Sequence, residues 1–268
     1  MRDVGTASSP SLGRGASQSR AALTAVNGQQ PSEALSPDEN CEKLRREAEE
    51  LCFAQQLKLA QERGLQATKC ATELYGKSSL RLVPFYLVLV DIALKERQLK
   101  QAEERAAHGA YHCSLLFGPE HLYTSELYFS LGQIFSQMQQ QPQLQQQHGE
   151  SSLGMFDKVV DIWYRFLTNP PEETAAWMLE HQRLRVKEAT IMLQHIVSTR
   201  ASALGPHHIA TGEVMYTLGL LFLYLGDHTQ AKALVQQALD LYVENLGPEH
   251  LSTLDVKNVL QQLQEAGV

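Results

Sequence analysis

Four glycines constrain the fold most. Gly76 and Gly118 stand 42 residues apart, as do Gly205 and Gly247, while Gly76 to Gly205 and Gly118 to Gly247 each span 129. Every one follows a hydrophobic residue and opens a polar or proline-led turn, written "YGKSS", "FGPEH", "LGPHH" and "LGPEH" along the chain. A second ladder runs in step with the first. Ala60, Ala102, Ala189 and Ala231 repeat the same 42-residue and 129-residue intervals. Equal spacing in copies so far apart marks an internal repeat, whose units bury their apolar faces by stacking on one another.

The clearest unit is "MYTLGLLFLYLGDHTQAKALVQQALDLY". Its Leu218-Gly219, Phe222, Gly226, Ala231, Val235 and Ala238 follow the pattern Leu-Gly-x-x-aromatic, a turn glycine, then Ala-x-x-x-bulky-x-x-Ala. This is the tetratricopeptide repeat pattern. Gly219 and Ala231 are small where two antiparallel helices approach closely, and Phe222 and Val235 fill the space beside them. Gly226 supplies the positive φ that ends the first helix. In the "GPEH" turns, glycine caps one helix and proline starts the next within its first turn.

The predicted fold is therefore all-α, a tetratricopeptide-repeat-like helical solenoid with about five helix pairs of ~42 residues and a C-terminal capping helix. The pairs fall roughly at 38–77, 78–119, 120–168, 169–205 and 206–247, followed by "LSTLDVKNVLQQLQEAG". In the first, "REAEELCFAQQLKLAQE" also reads as one long helix. The fourth pair is the weakest because Trp177 stands where a small residue belongs. The Gln-rich stretch at about 139–150 reads as a loop insertion within the third pair. Residues 1–37 contain no aromatic side chain and are rich in Ser, Ala and Gly, which predicts a disordered tail rather than an organelle transit peptide. The solenoid then occupies 38–268.

Composition removes several function classes. The net charge is −7, and Lys and Arg are scattered along the chain, which argues against a nucleic-acid surface. Apolar runs stop short of the roughly 20 residues that a membrane span needs. Cys41, Cys52, Cys70 and Cys113 stand unpaired in sequence, so they predict reduced, mostly buried thiols and no zinc module. His121, His207, His208 and His250 recur in the turns as surface capping residues rather than metal ligands. No phosphate loop, nucleophile elbow or zinc-protease helix is present, and the pairs Glu103-Glu104 and Glu172-Glu173 read as solvated. Neither catalytic residues nor a cofactor is expected.

A solenoid offers a concave surface lined by the first helix of each pair. In the register above, that surface takes Leu87, Asp91 and Leu94, then Glu126, Phe129 and Gln133, then Glu213, Tyr216 and Leu220. They are mostly apolar or acidic, which favours an amphipathic helix or an extended segment as ligand. Ser78, Ser79, Glu120, Thr124 and Ser125 are further partner-binding candidates, because packing alone does not demand polar residues in adjacent turns.

"LYGKSSLRLVPFYLVLVDIAL" resembles the repeat region of the ciliary MYND-type zinc-finger proteins with tetratricopeptide repeats, through the motif at Leu74 to Leu87. The resemblance continues through Thr124, Ser125, Tyr128, Phe129, Ile134 and Phe135, then through Lys158, Val159, Ile162, Trp163 and Leu167. It covers about 72–170 and fades beyond 175. It implies a non-catalytic axonemal subunit of the cilium or flagellum, associated with the heavy-chain tail of a single-headed inner dynein arm. The partners it implies are that dynein, a second tetratricopeptide-repeat protein and axonemal docking factors. No paired Cys ligands precede the repeats, so the zinc finger of that family is missing from the pattern. The runner-up resemblance, carried by the 42-residue unit and the "LGPEH" turn, is to kinesin light chains, which implies a cytoplasmic cargo adaptor as the alternative.

Overall fold

The computed structural model describes residues 35–140, 145–169 and 176–265. The predicted tail lies outside the described residues as far as position 34. At its end the helical region begins a residue early: α1 (Pro37–Phe53) starts on Pro37, and Ser36 and Glu39 close a reciprocal capping box. There follow α2 (Leu57–Tyr75), a 3-10 turn (Leu80–Leu82), α3 (Val83–Lys95), α4 (Leu99–Phe117), α5 (Leu122–Gln139) and α6 (Gln145–Thr168). Then come α7 (Ala176–Ala203), α8 (Ile209–Tyr224), α9 (His228–Leu246) and α10 (Leu251–Glu265). No strand occurs among the described residues.

Antiparallel hairpins stack in order, and α10 covers the end of α9. Ala60, Ala102, Ala189 and Ala231 are all fully buried, so the ladder marks the close helix approaches. A Cβ on Gly219 would stand 2.8 Å from Val235 Cγ2 and 3.4 Å from the Ala231 carbonyl oxygen, which is why the repeat needs glycine there. The core runs along the stack as a chain of apolar clusters, the largest formed by Phe156, Val159, Trp163, Leu193, Ile196 and Leu221 with their neighbours.

Two kinds of turn build the stack. Within the hairpins α1/α2, α3/α4 and α8/α9, the chain reverses through Gln55, Arg97 and Gly226, all at positive φ (60°, 58° and 79°). In each, the following amide donates back to a carbonyl five residues earlier: Gln56 to Leu51, Gln98 to Ala93 and Asp227 to Phe222, all at 2.9 Å. This bond and a left-handed residue define the Schellman stop. It also breaks the first pair, so "REAEELCFAQQLKLAQE" is two helices and not one.

Between hairpins, Gly76, Gly118, Gly205 and Gly247 take φ of 82° to 107°. Proline does not start the next helix here. It fills the turn, and the N-caps are His121 and His208, whose Nδ1 accepts from the amides of Tyr123 (3.3 Å) and Ala210 (3.2 Å). His250 Nδ1 accepts from Ser252 in the same way at 3.2 Å. Three of the four turn histidines therefore cap helices, as their recurrence predicts; His207 does not cap, and its Nδ1 lies 3.2 Å from Glu244 of α9 instead.

Three sequence expectations need correction. The fourth pair is a single helix: α7 runs unbroken for 28 residues, with no residue at positive φ among those described to turn it as Gln55, Arg97 and Gly226 turn the hairpins. The side chain of Trp177 lies outside the described residues. The Gln-rich insertion is shorter than predicted, since α6 already begins at Gln145. Cys41 and Cys70 are joined in a disulfide that ties α1 to α2, their Cα atoms 5.7 Å apart. They face each other across the hairpin, a proximity that a spacing of 29 residues does not announce. Cys52 and Cys113 are buried free thiols, and burial pushes Cys113 up to about 11.

Candidate protein-binding groove

Three first helices, α1, α3 and α5, line one side of the stack together with α7. Charged residues at Asp38, Glu42, Arg45 and Glu49 recur on one face of α1 at helical spacing, and Pro84, Leu87, Val88 and Asp91 do the same on α3. Tyr75 and Arg81 close one end, and α5 gives Tyr123 and Glu126. From α7 come Arg185 and Glu188. These side chains enclose a groove of about 1040 Å³. A smaller cavity of about 370 Å³ between α5, α6 and α7 is lined mainly by small and amide side chains such as Ser136, Ser152 and Thr199.

Every arginine of the groove is already engaged. Arg45 Nη2 lies 2.9 Å from Glu42 and also pairs with Glu49. Arg81 donates to Asp38 at 3.1 Å and sits 5.0 Å above the Tyr75 ring, whose hydroxyl also bonds Asp38. Arg185 pairs with Glu126 and lies 4.0 Å over the Tyr123 ring. Burial holds the Arg185 guanidinium below its ordinary value, while Tyr123 and Glu188 pull it back up. Asp91 and Glu188 stay exposed to the groove and make no ion pair among the described residues. Asp91 keeps accessible surface at the groove floor, yet the protein around it pushes its carboxyl up to about 6, against the pull of Lys95.

The predicted site residues separate on this frame. Leu87 and Asp91 meet in the groove, and Glu126 lies at its wall. Phe129 instead packs edge-on against His195 (5.4 Å) and beside Phe156, and Tyr216 is buried between Tyr164 and Tyr242. Glu120 is exposed and pairs with Arg165 of α6. Ser78 is exposed in its turn. Thr124 and Ser125 are fully buried, with hydroxyls that donate to Gly118 O (3.3 Å) and Leu122 O (2.6 Å). Thr211 repeats the first bond to Gly205 O at 3.0 Å. Ser79 Oγ accepts from the Arg81 amide at 3.3 Å, the place that histidine fills in the later turns. Turn chemistry therefore accounts for these polar identities; Thr124 and Ser125 are buried away from the candidate surface, while Ser79 stays half-exposed in its turn.

Arg45, Arg81, Arg185, Glu188 and Tyr123 were not predicted. The charged stripe on α1 is visible in the sequence, whereas Arg185 reaches the groove only because α7 is a lone helix folded back against α5. Among the described residues no three His, Cys, Asp or Glu gather as metal donors, and no helix is long and apolar enough to cross a membrane.

Antiparallel helix pairs, a small-residue ladder and Schellman hairpins define a tetratricopeptide-repeat-like solenoid, a class of protein-interaction scaffold. Residues 175–244 match the tetratricopeptide repeat family model. No curated protein sequence matches the chain. Among solved structures, it is similar to kinesin-light-chain TPR-like repeats of Podospora anserina, at 14% identity over 80% of this chain and 99% of that one, TM-score 0.42. The assembly chaperone of RpL4 also has 14% identity, covering 85% of each chain, TM-score 0.41. BtubC from P. vanneervenii has 15% identity over 79% of this chain and 92% of that one, TM-score 0.27.

Proposed function

We propose that this chain is a non-catalytic scaffold that holds a segment of a partner protein in the groove between α1, α3, α5 and α7. The observation that carries this reading is the groove itself. It combines accessible apolar side chains, Pro84 and Leu87, with unpaired carboxylates on a wall of first helices. A rigid helical wall with exposed apolar positions is what helix-in-groove and extended-peptide recognition use.

The finer reading is an axonemal subunit of the cilium or flagellum, associated with the tail of a single-headed inner-arm dynein, a second tetratricopeptide-repeat protein and docking factors. The sequence resemblance over 72–170 supports it, and that span holds α3, α5 and much of the groove. A deletion strain should build cilia of near-normal length but swim slowly, with one inner-arm density reduced in averaged tomograms. Full occupancy of every inner arm overturns the axonemal reading. The alternative, a cytoplasmic kinesin-light-chain-like cargo adaptor, is favoured by the 42-residue unit and the "LGPEH" turn. Fractionation separates the two: an axonemal subunit stays with detergent-extracted axonemes and leaves in high salt, whereas an adaptor leaves with the soluble pool.

A further inference from the structure

The groove's charge states what kind of segment it takes. Among the described lining residues, six carboxylates face three guanidiniums. The guanidiniums are used up internally, each against a carboxylate of the same groove. An acidic ligand would have to break one of those pairs and leave a carboxylate of the wall without its partner, which is costly where the pair is shielded. That applies most to Arg185 and Glu126, whose side chains are only 15% and 10% exposed. A basic ligand need break none of those ion pairs. Asp91 on α3 and Glu188 on α7 are exposed and unpaired, with the apolar surface of Pro84 and Leu87 beside them.

Resting on the reading of the groove as the partner site, we infer that its occupant is a basic amphipathic protein segment. Lys or Arg side chains of that segment meet Asp91 and Glu188, and its apolar side chains lie on Pro84 and Leu87. The carboxylates select by charge and speed encounter, and the apolar floor fixes the register. An acidic segment is rejected by the same carboxylates.

The test uses the full chain and two fluorescein-labelled amphipathic peptides with identical leucine spacing, one carrying lysine and the other glutamate at every polar position. Binding is read by anisotropy at about 150 mM salt, where screening removes weak long-range attraction. The lysine peptide should bind and the glutamate peptide should not. Glu188→Lys and Asp91→Lys should each weaken the lysine peptide by about tenfold or more, which is about 1.4 kcal/mol, with the helical circular dichroism unchanged. Tyr111→Ala, on the exposed outer face of α4, should leave binding unchanged. Lysine-peptide binding that ignores both groove substitutions reports only the chain's overall negative charge and overturns the inference. Binding of the glutamate peptide, lost on Leu87→Asp, overturns the inference while the groove remains the partner site. If neither peptide binds, the basic occupant is likewise wrong. The partner site then stands or falls separately, on whether a cross-linker at Leu87 reaches a partner in cells.

Discussion

Glycines at helix crossings and glycines on open surface should respond in opposite ways to one added methyl. A Cβ on Gly132 would meet the Phe156 ring, with Cδ1 at 2.7 Å and Cζ at 2.9 Å, in a fully buried cluster. Gly132→Ala should therefore cost about 1–3 kcal/mol by overpacking. Gly154, inside α6, would meet nothing within 4 Å, so Gly154→Ala should stabilise by about 0.5–1 kcal/mol through helix propensity alone. Urea melts of both variants check the contrast. Asp91 gives a pH test. Its folded carboxyl sits at about 6, above the ordinary value of 3.8, so its ionisation opposes folding. The penalty is full above the folded value and is relieved as pH falls through about 6 towards 3.8. Asp91→Asn should thus raise Tm at pH 7.5, with a gain that shrinks by pH 5. An equal gain at both pH values would show that the surrounding protein does not perturb Asp91. The sequence made Gly219 and the alanine ladder legible because steric need leaves a small residue behind. It did not reveal the roles of Ser79, Thr124 and Ser125, because a hydroxyl looks the same whether it faces a partner or a turn carbonyl.

Turns and helix anchors carry the next level. The hairpin position held by Gly226 is filled by Gln55 in the first pair and Arg97 in the second, at the same 42-residue and 129-residue intervals. Only the glycine could be read in advance, since the other two adopt left-handed backbone against their own preference. Arg97→Gly should therefore be neutral or stabilising by up to about 1 kcal/mol, where an ordinary surface glycine substitution in a helix would destabilise. A clear loss in Tm would contradict the Schellman assignment. The lone helix α7 replaces a hairpin; its Leu193 and Ile196 pack in the largest apolar cluster, and two arginines tie it to its neighbours as well. Arg185 reaches α5, while Arg200, 3% exposed, pairs with Asp157 of α6 and lies 3.7 Å from Glu213 of α8. Arg200→Ala leaves Asp157 and the Ala210 carbonyl without this donor and should cost about 2–3 kcal/mol. A melt that Arg200→Ala leaves unmoved would show that apolar packing alone seats α7. Periodicity could not foresee this helix, because an unbroken segment still carries the ladder residue Ala189 in register. The Cys41–Cys70 bond should contribute about 2–4 kcal/mol to the α1/α2 hairpin, so reduction should lower Tm and expose that hairpin first to hydrogen exchange.

At the scale of the whole molecule, the repeat period fixes which helices face the same way, and that alone brings Leu87 and Asp91 to one wall. What periodicity does not give is the far wall, because Arg185 and Glu188 arrive through the departure from the repeat at α7. The groove exists where the regular stack and its one irregular helix meet. Its tyrosines and paired arginines hold the walls in place, and its free carboxylates and apolar floor are left for a partner. The most direct measurement places a photo-cross-linking amino acid at Leu87, on the groove floor, and separately at Tyr111, on the outer face of α4, in living cells. The expected result is a discrete adduct with one partner protein from Leu87 and none from Tyr111, with the Leu87 adduct lost when Glu188→Lys is added. Adducts from Tyr111 with none from Leu87 would contradict the account and move the partner surface to the opposite face of the solenoid.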